Sequence, residues 1–345
     1  MKSTRIVTAA AAIAGCALIS TQVGTQLKAQ EARRLENVRP GKPAYSDGNI
    51  EVVPVQGNVY LVAGGASNIA VQKDADGLLL VDSGDVANAP KVVEAMKEIS
   101  AQPIRQIINT STIEHHTAAN EEINKAGRNI NAAVGGGANR EPERPQGAPI
   151  ISHERAMHRM AGLLGEPARP GLWPQNTFVG PRKDWYWGGE PIDIQYKPGA
   201  VTDGDVIVWF RKSDVIAAGC LIDGMNYPRI DLKRGGTVEG YLTAVNDILD
   251  IMIPERNNQG GTLLVPGHGR IMNESDVAVI RDGMTMITDR IREMVRKNMT
   301  LAQVKAAKPT VDYDGLFGNP DQFIETVYTD LERVQRASRP APARR

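Results

Sequence analysis

Apolar positions fall in short clusters through the first hundred residues. Val52-Val53, Val59 to Val62 and Ile69 to Val71 read as strands, punctuated by Gly64-Gly65. Leu78 to Val81 is a continuous apolar run ending in Asp82-Ser83-Gly84, the pattern of a buried strand entering a loop. Val92, Val93, Met96 and Ile99 recur at helical spacing within Ala89 to Ile99. Ile104 to Ile108 predicts another strand, Asn109 to Thr117 a polar loop, and Ala118 to Ala126 a short helix.

A strand at Ile150-Ile151 and a helix over His153 to Leu164 follow. Residues 165–182 hold four prolines and are expected to be irregular. The second half repeats the outline. Ile192 to Tyr196, Val206 to Phe210, Val215 to Ala218 and Leu263 to Val265 read as strands. Glu239 to Met252 and roughly 275–297 and 322–337 read as helices. Two strand-rich halves, each finished by helices, imply two packed sheets with helices outside.

Composition adds bounds. The chain has 345 residues, 41% hydrophobic and 23% charged, enough for a packed core. Basic and acidic residues balance at 40 each, so no basic surface invites nucleic acid.

The N-terminus reads as a targeting segment. Lys2 and Arg5 precede an apolar run from Ile6 to Ile19, too short for a membrane span. Residues 1–29 fit a signal peptide cleaved after Leu27-Lys28-Ala29. Ile13-Ala14-Gly15-Cys16 also fits a lipobox, which would place a lipid anchor on Cys16. Either reading makes the protein exported, periplasmic or secreted. Residues 30–47 read as a linker, 48–337 as the folded domain and 338–345 as a disordered basic tail. Cleavage removes three of 40 positive charges, leaving 37 against 40 and a net −3. Cys220 is then the one cysteine, so it is expected to be buried or functional, with no intramolecular disulfide.

Chemistry concentrates on five histidines. His115 and His116 are adjacent on a loop after a buried strand, and His268 sits in Pro266-Gly267-His268-Gly269 after another. His153 and His158 read as solvated or loop-packing residues. Gly135-Gly136-Gly137 lacks a phosphate-loop continuation. Trp173, Trp185, Tyr186 and Trp187 flank the proline-rich segment and either line a pocket or pack beneath it.

Several segments resemble the metallo-β-lactamase superfamily, in the order that family uses: Gly77 to Asp82, Asn109 to Asn120, Val201-Thr202-Asp203-Gly204-Asp205, Gly219-Cys220 and Leu264 to Gly269. The resemblance spans roughly 50–335. It implies a four-layer αββα sandwich of the metallo-β-lactamase type. It also exposes losses. The family's first zinc site falls on Ser111, Ile113 and Val201, which offer no good zinc ligand. The second falls on His115, His116, His268 and Cys220, each an acceptable ligand, which implies at most one zinc ion or none. His115 stands where the family has a catalytic Asp, and the resemblance makes it the candidate catalytic residue, a general base. The implied function is a hydrolase-like protein acting on a small ester, lactone, thioester or amide. The competing reading is a catalytically inactive, metal-free, ligand-binding member. Substrate and oligomeric state stay open.

Overall fold

The structure, a computed structural model, describes residues 49–129, 147–256 and 260–338. The expected signal segment and linker, Gly135 to Gly137 and the tail after Ser338 lie outside the described residues.

Seven strands form the first sheet in chain order: β1 (Glu51–Gln56), β2 (Val59–Ala63), β3 (Ile69–Lys73), β4 (Leu78–Val81), β5 (Ile104–Ile108), β6 (Ile150–His153) and β7 (Asn176–Phe178). The first four meander antiparallel, and β4 to β7 run parallel. The second sheet has five strands: β8 (Arg182–Trp187), β9 (Glu190–Tyr196), β10 (Val206–Phe210), β11 (Val215–Asp223) and β12 (Leu263–His268). It is antiparallel except at β11–β12.

The two-residue strand period sorts side chains into layers. In β4, Leu79 and Val81 enter the core between the sheets, while Leu78 and Leu80 face the outer helices. Those helices are α1 (Ala89–Ile99), reached by a 3-10 turn, and α3 (Asn120–Ala126), which contributes Ile123. Between them α2 (Glu114–Thr117) makes one helical turn, and α4 (Glu154–Met160) follows β6. Over the second sheet lie α5 (Val238–Ile251), α6 (Glu274–Arg296), α7 (Leu301–Ala306), α8 (Asp314–Phe317) and α9 (Asp321–Ala337). The α6 helix opens with a capping box, Asn273 and Asp276 exchanging side-chain and backbone hydrogen bonds. The layers are thus helix, sheet, sheet, helix, as expected.

The differences from the sequence reading are local. Asn109 to Thr117 contains the helical turn α2. The helix expected to Leu164 ends at Met160, and the irregular segment contains β7. The aromatic run Trp185 to Trp187 belongs to the edge strand β8. Trp185 and Trp187 pack against the inter-sheet core and Tyr186 faces solvent. Tertiary pairing decided these short elements, where periodicity has too few residues to speak. His153 is buried, its ring stacked on Tyr196 at 3.7 Å, so only its packing role holds.

Candidate metal centre

Two strand ends converge at one edge of the sandwich. The β5 exit carries His115 and His116 on α2, and β12 ends at His268. The three rings form one group, their centroids 4.6, 4.9 and 5.7 Å apart. One ring nitrogen from each lies within 4.8 Å of the others.

Asp82 builds the floor. It ends the buried run of β4 in the left-handed region, φ 69°, a strained backbone for a residue with a Cβ. Its carboxylate accepts from the Thr110 backbone N–H at 2.8 Å and the Thr110 hydroxyl at 2.6 Å. His116 Nδ1 stands 2.8 Å from the same carboxylate. A carboxylate accepts, so Nδ1 holds a proton, and in the neutral ring the lone pair is on Nε2. That Nε2 is buried and makes no hydrogen bond among the described residues.

His268 repeats the logic with its ring reversed. Nε2 stands 3.0 Å from the Ala66 carbonyl and donates to it, leaving the lone pair of the neutral ring on Nδ1. Nδ1 is likewise buried without a hydrogen bond. The His115 imidazole is pushed down to about 3, chiefly by burial, then by the fields of His116, His268 and Arg229, against the pull of Asp223. Three converging imidazoles, two with a buried ring nitrogen that makes no hydrogen bond, fit a divalent metal.

Close backbone approach makes this convergence feasible. Gly219 has φ 51°, and a Cβ there would stand 2.0 Å from Thr110 Oγ1. A Cβ on Gly267 would meet Gly219 O at 2.6 Å and His116 Cε1 at 2.9 Å. The segment Ala66 to Asn68 then clasps both histidine loops. Ser67 Oγ donates to His115 O at 2.6 Å. Asn68 donates from its backbone N–H to Gly267 O at 2.8 Å, and from Nδ2 to Pro266 O and Gly269 O at 3.0 and 2.8 Å.

Cys220, the fourth ligand expected from sequence, is not a member of the histidine group. Its sulfur faces Asp205 at 3.9 Å. Burial, and then the Asp205 charge, push the thiol well above its ordinary range. Asp205 is itself fully buried and capped by the Thr202 backbone N–H and hydroxyl, both at 2.6 Å. Burial raises its carboxyl to about 6, outweighing its Thr202 and Ser111 hydrogen bonds. At the first-site positions, Val201 belongs to the hydrophobic cluster beneath α5 and α6, and Ile113 and Cys220 pack against that cluster.

A cleft of about 930 Å³ opens over the histidines, with Ile113, Val201, Ile230 and Leu232 as apolar lining and Arg229 and Lys233 among its polar residues. Trp173, Trp185, Tyr186 and Trp187 do not line it. Sequence reading missed Asp223, Arg229 and the Ala66–Asn68 clasp. The Asp directly after the β11 apolar run was the signal for Asp223. Gly64-Gly65 announced a turn but nothing of what the turn grips.

The layers form a four-layer αββα sandwich, the metallo-β-lactamase type of fold. Among solved structures, the stereoselective inverting sec-alkylsulfatase Pisa1 from Pseudomonas sp. superposes with a TM-score of 0.59 at 13% identity. The match covers 85% of this chain and 52% of that one. A metallo-β-lactamase from Pontibacter korlensis gives a TM-score of 0.49 at 15% identity, covering 68% of this chain and 99% of that one. At such identities the likeness concerns fold. No protein-family model and no curated protein matches the sequence.

Proposed function

We propose that the protein is a hydrolase-like member of this fold that holds a single zinc ion on His115, His116 and His268. One observation carries the reading: three imidazoles offer a ring nitrogen each within 4.8 Å of one another, and two of the rings have a buried nitrogen with no hydrogen bond among the described residues. Zinc supplies Lewis acidity and a nucleophile at neutral pH. Everything else falls to the chain. Asp82 fixes the His116 tautomer and Ala66 that of His268, so both lone pairs are pre-set. Ile113, Val201 and Leu232 exclude water along one side of the cleft, which suits the acyl part of a small ester, lactone, thioester or amide. A ligating His115 cannot also take a proton on the same nitrogen, so the catalytic role expected of it from the resemblance does not go with metal binding. Export, periplasmic or secreted, belongs to the proposal on the N-terminal sequence alone.

The packing of Val201, Ile113 and Cys220 into the core favours a second reading, a metal-free module that binds a ligand in the same cleft. Metal content separates the two. Protein purified without chelators or affinity metals should carry about one zinc per chain by mass spectrometry, and a His116→Ala/His268→Ala variant none. Parent protein that stays metal-free after zinc addition would leave only the second reading.

A further inference from the structure

We infer that the sandwich holds a second, metal-independent site at the far end of β5 from the histidines, where Trp185, Trp187 and Arg105 take a small aromatic carboxylate. A cavity of about 290 Å³ lies there. Its walls come from Arg105 and Gln106 at the entry of β5, Pro149 just before β6, Asn176 at the start of β7, and Trp185 and Trp187 of β8. The histidine loops follow the exits of β5 and β12, and the two cavities share no lining residue.

The apolar walls select the body of the ligand. Trp185 and Trp187 stand two residues apart, so both indoles lie on one face of β8, half-buried, with the inter-sheet core behind them. Gln106 is buried, and its Nε2 donates to Pro149 O at 2.6 Å, which ties the β5 wall to the β6 wall. Indole faces and edges pair best with another flat ring. A dry cavity of about 150 Å³ admits benzene, so this one has room for a single ring with its substituents.

The polar groups select the head. Arg105 is seated against bare backbone: a Cβ on Gly77 would stand 2.3 Å from its Cγ. Its Nε donates to Asp76 O at 2.8 Å and its Nη1 to Arg128 O at 3.4 Å. Both acceptors are neutral carbonyls, so the guanidinium is held without being neutralised, and it forms no ion pair among the described residues. No acidic residue lines the cavity. The Trp173 indole N–H donates to Met160 O, whereas those of Trp185 and Trp187 meet no acceptor among the described residues. One uncompensated cation and two idle donors, with no acid opposite, match a group that only accepts, and a carboxylate is such a group. A saccharide brings as many donors as acceptors, and its hydroxyl hydrogens would find no carboxylate here.

NMR of the indole N–H signals, assigned with single Trp→Phe variants, tests this during titration with benzoate, benzamide and glucose. Benzoate should move the Trp185 and Trp187 signals. It should move them equally in the His116→Ala/His268→Ala variant, which separates this site from a carboxylate bound at a metal. Benzamide keeps the shape without the charge and should bind at least about tenfold more weakly. Arg105→Gln should weaken benzoate by at least a similar factor. Benzoate that leaves both indoles unmoved, acts only when the histidines are present, or binds no better than benzamide overturns the inference. Glucose moving both signals where benzoate moves neither overturns it in favour of a saccharide. Should Arg105→Gln not fold, the benzoate–benzamide comparison on the parent chain still decides.

Discussion

Single residues show how the fold holds buried polar groups. Asp205 is the sharpest case, a fully buried carboxyl whose pKa is raised from 3.8 to about 6. In the unfolded chain it ionises near 4, while in the folded chain it keeps its proton until about 6. Its favourable contribution is therefore full below pH 4, declines as pH rises from 4 to 6, and is gone above that window. Urea unfolding across pH 3 to 8 should show this falling arm in the parent and a flatter one in Asp205→Asn. The comparison is of slopes, because the amide cannot accept from Thr202 at both oxygens and so costs stability at every pH. Identical slopes would mean that the carboxyl is hydrated rather than buried.

At the scale of elements, the centre depends on three chain segments far apart in sequence. Asn68 lies 198 residues from Pro266, yet its side chain satisfies two carbonyls of the His268 loop. Asn68→Ala strands Pro266 O and Gly269 O in a buried setting, at about 1–3 kcal/mol in stability. The displaced His268 should also lose zinc affinity by about 10–100-fold. Chemical denaturation and zinc titration of one preparation check both. A variant with parent-like affinity would show that the clasp does not position the ring.

The strands around this clasp were legible because buried runs such as Leu78 to Val81 and Ile104 to Ile108 are unambiguous. His115, His116 and His268 were legible because loop order exposed them. The clasp and Asp223 were not, since a hydrogen bond over 198 residues leaves no local pattern. The fourth ligand went to Cys220 on position alone, and only side-chain direction shows its sulfur turned toward Asp205. The β8 strand was hidden for another reason: at a sheet edge its alternation of exposed and half-buried residues is dominated by aromatics.

For the molecule as a whole, the question is whether the fold needs its metal. Three apolar clusters hold the four layers, and none contains a histidine. Val201 is 1% exposed within the cluster under α5 and α6, and Ile113 and Cys220 pack onto it. Apolar contact thus fills the region around Val201, Ile113 and Cys220. Zinc-finger domains unfold on chelation because the metal stands in for a core, and this protein has a core of its own. Chelation should therefore leave the near- and far-ultraviolet circular dichroism unchanged and a single cooperative unfolding transition. A zinc ion held by the three histidines would bind only the folded state, so adding zinc should raise Tm in proportion to the logarithm of free zinc above Kd. Loss of the near-ultraviolet signal on chelation would instead make the ion a structural element, and Val201 and Ile113 would then not be enough to close the core around the lost site.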